Sequence, residues 1–221
     1  MSKKLYLHTV TERVWHWFHA ALITLLILSG CQIHWPDVLN IFGSFTTAIY
    51  VHRWAGILLA CDFLLWLFYN LFSRRISHYI LKLEEIYPGL PVQAKFYIWD
   101  IFIGKPHPYA PSEDNKFNPL QKLTYFIFML FMMPILLASG ILYLYPSFFA
   151  PVINLLGGLA AVAVLHFIMA IIFTAFFVAH IYLATTGHTI FADFLSMITG
   201  YREENGVREE NGSKTGSGLE L

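Results

Sequence analysis

This chain is short of charge. Asp, Glu, Lys and Arg make up 13% of its 221 residues, where an ordinary soluble domain carries about 25%. None of the four occurs from residue 123 to residue 192, a run of 70. One spanning helix needs only about 20 apolar residues, so the run suits an integral membrane protein. It excludes a disordered chain, a typical soluble enzyme and a nucleic-acid binder. Lys plus Arg and Asp plus Glu are 14 each, so net charge names no partner. Cysteine is scarce too. Cys31 and Cys61 both lie in apolar stretches, which is no disulfide framework and reports no redox compartment. No Gly-rich loop follows a strand, so no phosphate-binding motif is visible. What the chain has instead is 57% apolar residues, 17% aromatics and ten histidines.

The expected fold class is all-α integral membrane: a four-helix transmembrane bundle with short interfacial helices. Residues 14–34, 48–72, 121–145 and 159–185 read as the spans. The first opens with bulky W-H-W, is long, and has no A-x-A after it, so it reads as a span and not a cleaved signal. Thirteen of the 14 basic residues fall in the N-terminal stretch, the stretch from residue 73 to Lys122 at the start of the third span, and the C-terminal tail. Only Arg53 lies near the opposite side. The positive-inside rule then places both termini and the 73–120 segment in the cytoplasm, here of a bacterial inner membrane. One domain is expected over residues 1–200. Within it, 76–87 and 189–199 read as surface helices, and the proline-rich 105–111 stretch reads as an extended loop. Residues 201–221 read as a disordered cytoplasmic tail or an expression remnant.

Histidines inside spans need an explanation, because polar groups in a bilayer are costly and usually functional. His166 and His180 stand 14 residues apart on the fourth span. At ~100° per residue that falls within ~40° of whole turns, and at 1.5 Å per residue it is ~21 Å of axis. The two rings therefore share a face at two depths. His16 matches the depth of His180, and His52 matches that of His166. Two pairs at two depths suit two bis-histidine haems. A transition-metal site or a proton path is the competing account. A lone histidine in a span is more often a helix-to-helix hydrogen-bond partner. Gly30, Gly56 and Gly140 offer room for a flat ring near these histidines. His19, three residues after His16, is either the true ligand or a neighbour. Arg53 is either a snorkelling arginine or a clamp on haem propionates. Asp62 in mid-span pairs with a hydroxyl or a neighbouring helix, or carries protons. His188 follows the fourth span, where it lines a second site or caps the helix.

Together, R-V-W-H-W at 13–17, the 14-residue histidine spacing, K-F-N-P-L-Q-K at 116–122, T-G-H-T at 186–189 and M-I-T-G at 197–200 resemble a known family. It comprises the di-haem cytochrome b subunits of membrane-bound oxidoreductases, which serve formate dehydrogenase-N, NiFe-hydrogenase and thiosulfate reductase. The resemblance covers roughly residues 10–200. It implies two haems b, with His52 and His166 ligating the outer one and His16 and His180 the inner one. It also implies a quinone, menaquinone or ubiquinone, bound near the inner haem beside Asn118. Lys122 and His188 are further candidates for quinone binding or its proton traffic. Leu120 departs from the formate dehydrogenase pattern, which has Gly there, and that puts the pocket's shape in question.

The function expected is an electron-transfer subunit that is quinone-reactive and contributes no catalytic side chain of its own. It would join the quinone pool to a periplasmic oxidoreductase subunit, such as an iron–sulfur/molybdenum protein, a hydrogenase or a multihaem cytochrome c. One rival is a free-standing di-haem enzyme of the superoxide oxidase type. That rival would want a basic outer face to attract superoxide, and the outer loops carry no Lys or Arg. The other rival is a non-haem metal-binding membrane protein, for which only Asp62 and Cys61 supply additional ligands.

Overall fold

A computed structural model describes residues 4–73, 76, 80–105, 108–109, 117–185 and 189–203. Four helices are long and apolar enough to cross a membrane. The first two are α1, Val10–His34, and α2, Phe45–Phe72. The third span is composite: α3, Leu90–Ile98, precedes it on the surface, and α4, Pro119–Ile127, opens it. A π-helical turn, Phe128–Met132, and α5, Met133–Leu144, complete it. A short helix α6, Ala150–Leu155, leads into the fourth span α7, Leu159–Ala184, and α8, Ala192–Thr199, follows.

The first two spans start a turn earlier than hydropathy alone suggests, because capping residues extend them. Thr9 and Glu12 form a reciprocal capping box at the start of α1, and Ser44 caps α2 by accepting from Thr47 N. Such side chains satisfy backbone N–H groups that have no partner inside the helix. The π turn in the third span precedes Pro134 at the start of α5. Proline has no N–H, and its ring crowds the carbonyl four residues back, so a widened turn keeps the span continuous.

Two hairpins make the bundle. Backbone packing joins α1 to α2 and α5 to α7, with α2 against α5 between them. Among the described residues α7 does not pack closely on α1 or α2. The common core, Leu22, Ala55, Leu59, Phe63, Met129, Met133 and Phe173 among others, fills the middle of the bundle.

The chain ends meet at one end of the bundle. Strand β1, Lys4–Tyr6, pairs antiparallel with β2, Tyr201–Glu203, with Leu5 opposite Arg202. Gly200 turns the chain into β2 at φ +87°, and a Cβ there would sit 2.8 Å from the His8 carbonyl oxygen. Trp17 Nε1 donates to the Met197 carbonyl at 3.0 Å, and the Arg13 guanidinium donates to that of Ile198. These contacts seat α8 under the start of α1.

Two expectations need correction here. The helix expected over 76–87 is displaced. Residues 80–82 are not helical, helical structure starts at Leu83, and a kink at Tyr87 (φ −141°, ψ 124°) separates that turn from α3. Glu85 accepts from the Lys82 backbone N–H at 2.9 Å and pairs with Lys122, so its charge serves the helix start and another helix instead of a polar face. The tail does not lose order at residue 201, because 201–203 are held by β1. Residues 204–221 lie outside the described residues, as do 106–107 and 110–111 of the proline-rich loop.

Candidate functional site

The two depths expected from helical spacing are both occupied by facing histidines. Near the end that carries the 35–44 and 145–158 loops, His52 of α2 faces His166 of α7, with ring centroids 6.3 Å apart. Near the end that carries the chain termini, His16 of α1 faces His180 of α7, with centroids 6.2 Å apart. All four lie on spanning helices, so helix geometry fixes their depth.

These distances suit a metal between two imidazoles. Two nitrogen-to-metal bonds of about 2.0–2.1 Å and roughly 1.1 Å from each nitrogen to its ring centre give a centroid separation of about 6.2–6.4 Å. Among the described residues, no group of three or more His, Cys, Asp or Glu gathers to hold a metal. Two facing imidazoles alone match a metal that needs only axial ligands from the protein, as haem iron does.

The loop-end pair has a matching cradle on each side. Ser29 Oγ lies 2.9 Å from His52 Nδ1, and Ser139 Oγ lies 3.0 Å from His166 Nδ1. The residue after each serine is glycine. A Cβ at Gly30 would meet His52 Cε1 at 3.4 Å, and one at Gly140 would meet His166 Cε1 at 3.2 Å. Absence of a side chain at these positions therefore lets the imidazoles lie close against α1 and α5. Gly56 behaves differently, because its nearest neighbour is Leu26 at 3.9 Å.

The terminal-end pair is bordered by aromatic rings. His16 meets Trp17 edge to face at 5.2 Å, and Phe176 lies 6.0 Å from His180. His16 Nδ1 is buried with no hydrogen-bond partner among the described residues. His19 does not face His180. Its Nδ1 pairs with Asp62 Oδ2 at 2.7 Å, and Trp15 stacks on its ring at 4.9 Å. The odd mid-span carboxylate is thus the partner of the extra histidine.

Arg53 is exposed, one residue beyond His52. Asn118 is buried and serves as N-cap of α4. Its Oδ1 accepts from Gln121 N at 2.8 Å, its N donates to Gln121 Oε1, and its Nδ2 donates to the Tyr97 hydroxyl at 3.3 Å. Lys122 is buried and paired with Glu85. Burial pushes the Glu85 carboxyl up, but the Lys122 and Lys82 contacts outweigh it and hold it below the ordinary value. Tyr97 is pushed up, chiefly by burial. His188 lies outside the described residues.

Sequence reasoning missed Ser29 and Ser139. A signal was present: L-x-x-S-G occurs at 26–30 and again at 136–140, each in the helix before one that carries a loop-end histidine.

Comparison with known proteins agrees with this architecture. The model of the prokaryotic cytochrome b561 family matches residues 7–200, and the chain belongs to that family. A protein of Escherichia coli (strain K12), provisionally named cytochrome YdhU, is 33% identical over 200 residues, covering 90% of this chain and 75% of its own. A protein of Azospira oryzae, provisionally named protein-methionine-sulfoxide reductase subunit YedZ1, is 27% identical over 192 residues. That match covers 82% of this chain and 91% of the relative. The chain is therefore a membrane haem b protein of the electron-transfer kind.

Proposed function

We propose that this protein is the di-haem membrane subunit of an oxidoreductase, carrying electrons between a partner on the periplasmic side and the quinone pool. One observation carries the reading: two facing histidine pairs, with centroids 6.3 and 6.2 Å apart, at opposite ends of one bundle. In this reading His52 and His166 hold one haem b, and His16 and His180 hold the other. Haem iron bound between such pairs exchanges single electrons reversibly.

The protein's own residues do the rest. Ser29 and Ser139 orient the loop-end rings, and Gly30 and Gly140 leave the space beside them. The apolar core between the two ends keeps water out of the middle of the bundle. Arg53 stands exposed beside His52, where a guanidinium can pair with a carboxylate. The loops without Lys or Arg lie at the periplasmic face and the basic segments at the cytoplasmic face, in line with the positive-inside rule.

The quinone site belongs at the terminal end, near Asn118, Lys122 and His188. Asn118 and Lys122 are committed inside the protein to Gln121, Tyr97 and Glu85. They therefore shape the floor of a quinone site, and the acid–base pair Lys122–Glu85 supplies a route for its protons. A redox partner at the loop end fits the name of the YedZ1 relative, which is that of a reductase subunit.

The test is a dithionite-reduced minus air-oxidised spectrum of the detergent-purified protein with a pyridine haemochrome count. Two haems b per chain are expected, falling to one in His52→Ala and one in His16→Ala. A single haem in the parent protein refutes the paired reading.

A further inference from the structure

The two ends of the bundle hold their histidines in chemically different ways. Ser29 is fully buried, and its hydroxyl has one proton to give. The Leu25 carbonyl lies 2.6 Å from Oγ and takes that proton. A lone pair of Oγ then faces His52 Nδ1 at 2.9 Å, so the ring nitrogen must be the donor. The second hairpin repeats this arrangement. Ser139 is buried, its hydroxyl donates to the Leu136 carbonyl at 2.9 Å, and its Oγ faces His166 Nδ1 at 3.0 Å. In a neutral imidazole with Nδ1 protonated, the metal-binding lone pair is on Nε2. At the terminal end no serine among the described residues plays this part. His16 Nδ1 is buried without an acceptor among them, and His180 is bordered by the Phe176 and His16 rings.

We propose that Ser29 and Ser139 are positioning residues that fix the Nδ1–H tautomer of His52 and His166 and lower the reduction potential of the loop-end haem relative to the terminal-end haem. An acceptor on the far nitrogen of a ligating histidine raises the basicity of the ligand. A more basic ligand favours the oxidised, more positive iron. The consequence is directional: an electron entering at the loop end runs downhill toward the terminal end. This rests on the di-haem reading above.

The experiment is a spectropotentiometric titration of the full-length protein in detergent, following the two haem components separately. His52→Ala, which keeps only the terminal-end pair, identifies which component is which. Ser29→Ala and Ser139→Ala should each move the loop-end component to higher potential and leave the other in place, and the double variant should move it further. Ser29→Thr and Ser139→Thr, which keep the hydroxyl, should restore the parent value. The loop-end component of the parent should be the lower of the two. The proposal is overturned if the alanine variants leave both components unmoved, if both components move equally, or if the parent's loop-end component is the higher. If alanine costs haem, loss in the alanine variant with retention in the threonine variant supports the proposal, and equal loss in both overturns it. A parent preparation without two haems fails the di-haem reading itself, a result distinct from any of these.

Discussion

His19 and Asp62 form a polar pair inside an apolar bundle, and its removal has an asymmetric cost. The side chains are 17% and 4% exposed, with 2.7 Å between Nδ1 and Oδ2. Asp62→Ala removes the acceptor of one ring nitrogen and leaves the imidazole stacked on Trp15. The loss is then that of one charge-assisted hydrogen bond, about 1.5–3 kcal/mol. His19→Ala instead strands a nearly dehydrated carboxylate, and breaking a buried pair from that side costs about 3–5 kcal/mol. Asp62→Asn keeps an acceptor for Nδ1–H, and a neutral bond is roughly half as strong as a charge-assisted one. The expected order of destabilisation is therefore His19→Ala, then Asp62→Ala, then Asp62→Asn. The double alanine variant should cost less than the sum of the singles, because it strands nothing. The stack of Trp15 on His19 and of Trp15 on Trp66, with centroids 4.9 and 6.0 Å apart, makes tryptophan emission a local reporter. Unfolding in a denaturing-detergent titration read by that emission gives the ranking. An Asp62→Ala cost equal to or above that of His19→Ala would refute the reasoning, as would strict additivity.

Four other outcomes follow from the geometry. Gly140→Ala should lower the haem-to-protein ratio more than Gly30→Ala, because the added methyl meets His166 at 3.2 Å and His52 at 3.4 Å, while Gly56→Ala, with 3.9 Å to Leu26, should keep the parent ratio. Glu85→Gln should destabilise the protein at neutral pH by removing the Lys122 ion pair. Because the Glu85 carboxyl lies below its ordinary value, the pair's contribution is full above the unfolded value of about 4.3 and fades as pH falls through the lower folded value. The stability gap between parent and Glu85→Gln should close only in acid, and a gap that closes on raising the pH contradicts the assignment. Arg13→Ala removes the contact to the Ile198 carbonyl, so limited proteolysis should cut near α8 faster than in the parent. Asn118→Ala removes the α4 cap and should cost about 0.5–2 kcal/mol, measured by the same detergent titration.

The spans were legible because lipid imposes a one-dimensional rule, a long uncharged run, that survives without knowledge of packing. The histidine pairs were legible because a helix converts residue spacing into angle and depth. His16 and His52 lie near span starts, which fixes their depth once the spans are drawn. The choice between His16 and His19 was not legible. Both face nearly the same way, and only the carboxylate of Asp62, 43 residues away, draws His19 aside. The surface helix after α2 was misplaced for a related reason. Its charges serve Lys122 and a helix start, not a polar stripe, and a partner on another helix leaves no periodic trace. The π turn before Pro134 was likewise hidden, since proline announces a disturbance but not whether the helix breaks or widens.

The repeated L-x-x-S-G segments bear on how the bundle is organised. Each hairpin supplies the same device: a serine and glycine on its first helix and a histidine on its second, brought together at the loop end. The loop-end pair is thus symmetric in its parts, with each histidine oriented by the other helix of its own hairpin. The terminal-end pair is not. Its histidines come from the first helix of one hairpin and the second helix of the other. Among the described residues no serine from a hairpin partner stands behind either, and aromatic side chains border them instead. A small residue followed by glycine is the cheapest way to hold an imidazole flat against a helix while giving its proton an acceptor. Having it twice at one end, and not at the other among the described residues, makes the loop-end imidazoles the more tightly held pair.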